Sequence, residues 1–289
     1  MELNSEFVTA PPRAAATVVM LRDTPEGLEV FLLKRHGNSD VLGGAYVFPG
    51  GKVDPADAHM AGHLDQAPTD LHAALGEAEL DLPAAMGLYV AALREAFEES
   101  GVLFASEADT MRLQQAAALL REGQVFSDVL VQLALRLDTR SVLPWSRWIT
   151  PRMPSVSNKR FDTRFFVAAV PAQQTARHDD YEATESVWLT PRTALQQYWD
   201  GQIALAPPQI MSLAHLARHA SVAGVLAEAR CRLPPVILPE PFDQEGTRVI
   251  CYPGDERHPV RERALPGPTR LHYRNKRFEP QDGFEGLFA

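Results

Sequence analysis

Cysteine is scarce in this sequence, with two residues among 289. Cys231 and Cys251 are too few for a disulfide framework, which excludes the class of small secreted proteins that several disulfides hold together. No uninterrupted apolar run approaches the roughly 18 residues that a membrane-spanning helix needs. Residues 1–6 lack the basic and apolar regions of a signal peptide, and residues 287–289 differ from the peroxisomal signal Ser-Lys-Leu. We therefore expect a cytoplasmic protein without a membrane segment.

Positive charge is also in short supply. The chain has 28 Lys and Arg against 37 Asp and Glu, for a formal net charge of −9. This balance argues against a general nucleic-acid binder and against a membrane-surface binder. An acidic protein with an anionic substrate must supply positive charge locally, from a metal ion or from a few placed Arg and Lys. Hydrophobic residues at 45% and charged residues at 22% are ordinary for a globular protein with a sizeable core.

Carboxylates are concentrated in residues 94–102. Apolar residues at positions 86, 90, 93 and 97 predict a helix over 84–100, which Gly101 ends. Glu95, Glu98 and Glu99 then share about one third of the helix circumference, where like charges repel. Taken alone, this pattern is typical of a solvated acidic face. A divalent cation bound by the three carboxylates would also relieve the repulsion, because Mg²⁺ and Mn²⁺ prefer hard oxygen ligands.

Read together with the Gly50-Gly51 turn, this helix resembles the Nudix box. That motif is Gly, five residues, Glu, seven residues, then Arg-Glu-apolar-any-Glu-Glu-any-Gly-apolar. Its second half is matched at Arg94, Glu95, Ala96, Glu98, Glu99, Gly101 and Val102. Its first half is matched at Gly51, with Asp57 in place of the family's Glu, and 36 residues rather than seven separate Asp57 from Arg94. This interrupted box is similar to the branch of Nudix hydrolases that includes the peroxisomal coenzyme A diphosphatases, and residues 31–35, 44–54 and 160–166 extend the likeness over about 12–220.

The resemblance implies an α/β (α+β) fold, a Nudix-like α/β/α sandwich with a mixed β-sheet, a helical insertion inside the motif and a C-terminal extension. We expect the Nudix domain over 12–204, with the insertion at about 58–83, and a C-terminal helix and extended tail over 205–289 packed on that domain. Dimerisation is common in the family, so a homodimer is expected, although the sequence indicates no surface for it.

The resemblance also implies a set of site residues. Glu98 and Glu99 are the expected principal ligands of Mg²⁺ or Mn²⁺, Glu95 a ligand or the base, and Arg94 the residue that orients Glu95. The Gly50 carbonyl is expected to join the metal, and Asp57, one methylene shorter than the family's Glu, to act through water or not at all. Glu182 and Glu185 are expected as base or ligand, with a solvated loop as the open alternative. Lys34, Arg35, Gly51 and Arg164 are expected as substrate contacts. The open alternative is a solvated strand end for Lys34 and Arg35 and a carboxylate pair for Arg164.

The reaction implied is metal-dependent hydrolysis of a diphosphate linkage in a small nucleotide derivative. By resemblance, the leading substrate is coenzyme A or acyl-coenzyme A, cleaved to 3′,5′-ADP and a 4′-phosphopantetheine. The alternative substrates are ADP-ribose, a dinucleotide or a nucleotide sugar, which share the diphosphate. An alternative of another class is a ligand sensor on the same scaffold without turnover.

Periodicity and turn residues predict the remaining elements. We expect a hairpin of strands at 14–21 and 28–34, a strand at 160–170 and helices at 70–80, 107–122, 126–137 and 206–231. The Arg-rich tail over 234–289 is expected to be solvated and partly extended, with strand-like pieces near 249–252 and 269–273. His59, His63 and His72 fit no zinc spacing, and we expect them at the surface.

Overall fold

The computed structural model describes residues 3–4, 6–37, 39, 42–106, 108–156, 158–179 and 183–289. Within these ranges eight strands form one mixed sheet. They are β1 (Arg13–Thr24), β2 (Gly27–Arg35), β3 (Tyr46–Val47), β4 (Gly50–Lys52), β7 (Val142–Ile149), β8 (Phe161–Ala169), β9 (Ala183–Leu189) and β10 (Val236–Ile237). Two short strands, β5 (Ala105–Ser106) and β6 (Arg136–Leu137), pair separately.

The main sheet is organised around β1. Its principal strand order is β10-β7-β8-β1-β2-β3, with β4 paired to β1 and β9 paired to β2. β1 runs parallel to β8 and forms the predicted antiparallel hairpin with β2. β4 is antiparallel to β1, with Gly51 opposite Ala16. This pairing places the glycine turn at the centre of the sheet.

Alternation along the strands divides the core into two layers. Val18 and Met20 of β1 belong to one apolar cluster, whereas Val19 and Leu21 belong to the other. Side chains of a strand point alternately to the two faces of a sheet, so this division places one cluster on each face. The sheet is therefore covered on both sides, as the predicted sandwich requires.

Helices supply the outer layers. Apolar residues of the first four helices belong to the first cluster, and those of the last three belong to the second. The helices are α1 (Pro68–Leu75), α2 (Leu82–Ser100), α3 (Thr110–Arg121), α4 (Phe126–Gln132), α5 (Pro191–Trp199), α6 (Pro207–Leu216) and α7 (Val222–Cys231). None of the helices within the described ranges combines the length and apolar character needed to cross a bilayer.

The motif helix α2 begins two residues before the predicted start. Asp81 caps it by accepting a hydrogen bond from the Ala84 N–H at 2.7 Å. At the other end Gly101 adopts φ 70°, the left-handed conformation that glycine reaches without strain, and its N–H bonds the Phe97 carbonyl. The helix is thus fixed at both ends, and its last two turns carry the carboxylates.

Three predicted helices differ from the structure. The insertion helix α1 ends at Leu75, because Gly76 adopts φ 68°. The helix predicted over 126–137 stops at Gln132, and the chain then forms β6. The single helix predicted over 206–231 is two helices, because α6 ends at Leu216 and Ser221 caps the start of α7.

The expected solvated tail is also wrong. Residues 240–279 contain a four-stranded antiparallel sheet of β11 (Glu240–Gln244), β12 (Thr247–Cys251), β13 (Arg270–Arg274) and β14 (Arg277–Glu279). Ile250, Leu271 and Phe278 are buried in the second apolar cluster. Arginines of this region pair with nearby carboxylates, as Arg270 does with Asp255 at 2.7 Å. Burial of one face and internal ion pairs therefore hold the C-terminal sheet against the domain.

Candidate active site

The candidate active site lies where α2 passes the glycine turn of β4. The Gly50 N–H donates a hydrogen bond to Glu99 Oε2 at 2.8 Å. A Cβ built on Gly51 would lie 2.3 Å from Glu95 Oε1, so only glycine leaves room for that carboxylate. The two halves of the motif are therefore in direct contact, despite the insertion between them.

Arg94 is the centre of the carboxylate cluster. Its Nη1 donates to Glu95 Oε1 at 2.8 Å and to Glu98 Oε2 at 3.0 Å. Its Nη2 donates to the Lys52 carbonyl at 2.9 Å. The hydrogen bond predicted between Arg94 and Glu95 is thus present. Burial alone would lower the pKa of Arg94, but the hydrogen bond to Asp57 and the neighbouring carboxylates raise it above its ordinary value, so the guanidinium stays charged.

Asp57 serves Arg94 rather than an open ligand position. Arg94 Nε donates to its Oδ1 at 3.1 Å, and Nη2 donates to its Oδ2 at 3.0 Å. The Asp54 N–H donates to the same Oδ2 at 2.8 Å, and Asp57 is 2% exposed. Because both oxygens are occupied by internal donors, the metal contact predicted for Asp57 is replaced by a bidentate pair that anchors Arg94.

Glu98 is a carboxylate of the cluster whose charged form is disfavoured by its surroundings. Burial raises the pKa of Glu98 above its ordinary value, against the opposing effect of Arg94. Arg94 stands between Glu95 and Glu98, while Glu99 is held by the glycine turn. In the described part of the chain, the carboxylate oxygens of Glu95, Glu98 and Glu99 do not all lie within 4.8 Å of one another. A cation that bound all three would add positive charge where burial now disfavours the carboxylate charge.

A cleft of about 700 Å³ opens beside Glu95 and the glycine turn. Cationic side chains, Arg35, Lys52 and Lys159, line it together with the turn. Its other walls are mostly apolar and come from four separate parts of the chain. They include Phe48, Trp148, Val156, Phe161, Phe165, Pro207, Pro208, Pro239, Pro241 and Ile250. The site therefore combines a carboxylate cluster with a mostly apolar cleft, and the C-terminal sheet supplies part of one wall of that cleft.

The predicted substrate contacts of β2 separate into two environments. Arg35 lines the cleft, but Lys34 pairs with Glu185 Oε2 at 3.3 Å. Burial, with a hydrogen bond to Glu185, raises the pKa of Tyr46 to about 12. Lys34 and Glu185 are not found among the described residues that line the cleft. Glu182, the other candidate base, lies outside the described residues.

Arg164 pairs with carboxylates, which is one of the two alternatives that the sequence left open. It is 5% exposed, its Nε donates to Glu77 Oε1 at 2.9 Å, and its Nη2 pairs with the other oxygen of Glu77. Asp162 Oδ2 lies 3.0 Å from its Nη1. The guanidinium is thus occupied by carboxylates, so an internal ion pair stands in place of the predicted substrate contact. This pair fixes the insertion to β8.

Sequence reasoning missed the residues that wall the cleft. Phe161 lies in the strand predicted over 160–170, and Trp145 and Trp148 are visible in the sequence, so these aromatic residues were the available signal. Gln209, Pro241 and Ile250 gave no signal, because their position depends on how the C-terminal part folds back. Gln209 lines the cleft at the start of α6, and its Oε1 has no hydrogen-bond partner within the described chain.

Comparison with known proteins gives consistent matches. The family description NUDT19 Nudix domain matches residues 63–216. A Caenorhabditis elegans protein named putative nudix hydrolase 7 is 26% identical over 267 residues, covering 91% of this chain and 80% of that protein. The acyl-coenzyme A diphosphatase NUDT19 of Xenopus laevis is 28% identical over 232 residues, covering 67% of this chain and 61% of that protein. The human protein of the same name is 27% identical over 276 residues, covering 80% of this chain and 72% of that protein.

Among solved structures, a crystal structure of a Nudix hydrolase from Alicyclobacillus acidocaldarius aligns with a TM-score of 0.62 and 26% identity. The alignment covers 78% of this chain and 99% of that one. The mixed sheet between helical layers is thus shared with a solved member of the same fold.

Proposed function

Because the chain belongs to the Nudix hydrolase family, with a match to its NUDT19 Nudix domain, we propose that it hydrolyses the diphosphate linkage of coenzyme A or acyl-coenzyme A. The observation that carries this proposal is the composition of the cleft, which is lined by Glu95, three cationic side chains and a majority of apolar side chains, with several hydroxyl groups and Gln209 among them. Coenzyme A has the matching form, with a phosphate-rich nucleotide joined to a long pantetheine arm and, in its thioesters, an acyl chain. The named activity of the Xenopus and human relatives agrees with this choice.

Nudix hydrolases generally need a divalent metal, and the donor set here fits one. Glu95, Glu98 and Glu99, with the Gly50 carbonyl, would supply the oxygen ligands that Mg²⁺ and Mn²⁺ prefer. The structural support is the raised pKa of the partly buried Glu98, because a bound cation would favour the charged form of this carboxylate. When bound, the metal would neutralise phosphate charge and acidify a coordinated water.

The protein's own residues would prepare the site in two ways. Arg94 holds Glu95 and Glu98 in place from a position fixed by Asp57 and the Lys52 carbonyl. Arg35 and Lys159 along the cleft would offset the negative charge of the phosphates. Apolar residues on the other walls would exclude water from around the pantetheine arm and any acyl chain.

The mostly apolar cleft distinguishes this substrate from the alternatives. ADP-ribose and nucleotide sugars present hydroxyl-rich groups beyond the diphosphate, and such groups would leave polar atoms against apolar walls. Trp148, Pro241 and Ile250 would contact an acyl chain but offer a sugar no charged partner. We therefore expect kcat/KM to be higher for acyl-coenzyme A than for ADP-ribose.

The test is a substrate panel with product identification. Coenzyme A, acetyl-coenzyme A, a long-chain acyl-coenzyme A, ADP-ribose, NADH and diadenosine polyphosphates are incubated with Mg²⁺, with Mn²⁺ or with chelator. Phosphatase-coupled phosphate release gives the rates, and mass spectrometry should identify 3′,5′-ADP with the (acyl-)phosphopantetheine. A preference for another member would refute the substrate. The absence of any turnover, with ligand binding retained, would instead support the sensor function.

Variants separate chemistry from folding. Glu99→Gln should abolish metal-dependent turnover, whereas the exposed Glu26→Gln serves as a matched control in the turn between β1 and β2. Full activity of Glu99→Gln would contradict the assignment of the carboxylate cluster as the active site.

A further inference from the structure

A second cluster of ligating side chains lies between α6 and α7, away from the candidate active site. His215 lies in the last turn of α6, His219 follows that helix, and Glu228 lies in α7. The break at residues 217–221 lets the chain reverse, so that both imidazoles approach the same carboxylate. His215 Nε2 is 2.9 Å from Glu228 Oε1, and His219 Nε2 is 3.0 Å from Glu228 Oε2.

The three side chains converge more closely than a chance surface grouping. Within the described ranges they are the one group of three His, Cys, Asp or Glu residues whose ligand atoms all lie within 4.8 Å of one another. His219 Nε2 is buried and makes no hydrogen bond, although a carboxylate oxygen lies 3.0 Å from it. His219 Nε2 and Glu228 Oε2 are therefore close but not aligned for a hydrogen bond, which is the arrangement expected of two ligand atoms directed at one metal position.

The surroundings hold two of the three ligands in place. The ring of His215 packs on Trp145 with centroids 4.6 Å apart, and His215 is 5% exposed. Arg232 Nε donates to Glu228 Oε1 at 2.8 Å, and its guanidinium also covers Trp145. Ligating carboxylates commonly accept such a hydrogen bond from an outer residue, which orients them.

Arg232 also selects the class of metal. Its charge offsets that of Glu228, so the site offers one compensated carboxylate and two imidazole nitrogens. Mg²⁺ and Ca²⁺ need several hard oxygen ligands and gain little from such a set. Zn²⁺ and Co²⁺ bind imidazole nitrogen well, and two His with one carboxylate is a ligand set that zinc uses with an open fourth position.

Space for that open position is present. A cavity of about 710 Å³ is lined by all three side chains and by Arg218, Arg232 and Arg263, together with apolar residues that include Leu233 and Pro266. It shares no lining residue with the cleft beside Glu95 within the described chain. A water molecule or another small ligand can therefore complete the coordination without access to the diphosphate site.

We propose that His215, His219 and Glu228 form a transition-metal site of the zinc class that ties α6 to α7. This site is separate from the carboxylate cluster of α2 and does not depend on the substrate of that cluster. Because both helices contribute ligands, bound metal should stabilise their packing.

The test uses the full chain freed of metal and kept in saturating Mg²⁺, so that the oxygen site is occupied. Zn²⁺ is titrated by calorimetry, and Co²⁺ by visible absorption, into wild type, His219→Gln and the control His63→Gln, which alters a histidine of the insertion. Wild type and His63→Gln should bind one Zn²⁺ per chain and show the intense absorption of Co²⁺ with four or five ligands. His219→Gln should lose that absorption and bind Zn²⁺ at least about tenfold more weakly.

A thermal unfolding series keeps the test independent of folding defects. Zn²⁺ should raise the Tm of wild type and of His63→Gln, but not that of His219→Gln. If His219→Gln does not fold, Glu228→Gln gives the same comparison, because Gln retains an acceptor for Arg232. Absence of a saturable Zn²⁺ equivalent in wild type, or an equal equivalent and equal Co²⁺ spectrum in a folded variant, would overturn the proposal.

Discussion

Replacement of Gly51 by alanine is the sharpest perturbation of the candidate active site. A Cβ at this position would lie 2.3 Å from Glu95 Oε1 and 2.5 Å from Glu95 Cδ. Ordinary van der Waals contact begins near 3.4 Å, so the carboxylate must retreat by about 1 Å. The obstructing atoms are the far end of a flexible side chain, and Glu95 can therefore move without unfolding the protein.

The expected effect on activity is large and that on stability is small. A displacement of about 1 Å at a reacting centre costs about 10²-fold in rate. The φ angle of Gly51 is outside the left-handed region, so alanine fits the backbone. Such a Gly→Ala change usually alters the free energy of unfolding by less than about 1 kcal/mol. We therefore expect kcat/KM to fall by about 10²-fold while the Tm changes by only a few degrees.

The assay compares Gly51→Ala with Gly62→Ala. A Cβ at Gly62 would have no heavy atom within 4 Å, and its φ is also outside the left-handed region. Initial rates on the preferred substrate of the panel, with saturating metal, give kcat/KM for both variants and for wild type. Wild-type activity in Gly51→Ala would refute the proposed position of Glu95. A fall in activity that merely followed a loss of folded protein would refute the expectation that only the site is disturbed.

Three further predictions concern buried charge. Arg94→Ala should lower the free energy of unfolding by about 3–5 kcal/mol, because it leaves the buried Asp57 carboxylate without its cation. Urea denaturation of Arg94→Ala, Asp57→Ala and the double variant should show non-additivity of about 1–3 kcal/mol, and simple additivity would contradict the pair. Glu77→Gln should destabilise by a similar amount, since Glu77 is 6% exposed between two arginines. Glu79→Gln, whose side chain is 70% exposed, should leave the stability nearly unchanged. Because burial raises the pKa of Glu98, the folded state binds its proton more tightly than the unfolded state, so this group's contribution to stability is lost as pH rises through that pKa. Glu98→Gln should therefore be more stable relative to wild type near pH 7 than near pH 4 in metal-free urea titrations, and a difference independent of pH would contradict the shift.

Local patterns were sufficient for the elements that position the motif. The β1–β2 hairpin follows from two alternating segments around a turn, and α2 follows from a three- and four-residue apolar spacing that ends at Gly101. The contact between Arg94 and Glu95, which the resemblance to the Nudix box implied, joins adjacent residues of the same helix. In each case the information lies within one element or one turn.

Tertiary contacts decide what the sequence alone could not predict. The break between α6 and α7 is invisible in a continuous helical pattern, yet it brings His215 and His219 to one carboxylate. Arg164 meets Glu77 from 87 residues away, so a choice between phosphate and carboxylate could not be made locally. The strand-like pieces expected near 249–252 and 269–273 coincide with β12 and β13, but strands of three to five residues are too short for their pairing into a packed sheet to be predicted.

The insertion inside the motif is compatible with the site because it is anchored at both ends. Near its start, Arg94 of α2 bonds both the Lys52 carbonyl and Asp57, so one guanidinium joins the segments before and after the insertion. Near its end, Glu77 binds Arg164 of β8. Side-chain ion pairs therefore hold the two halves of the motif together across the insertion. Asp57 takes part by binding Arg94, and an aspartate, one methylene shorter than glutamate, is long enough for that contact.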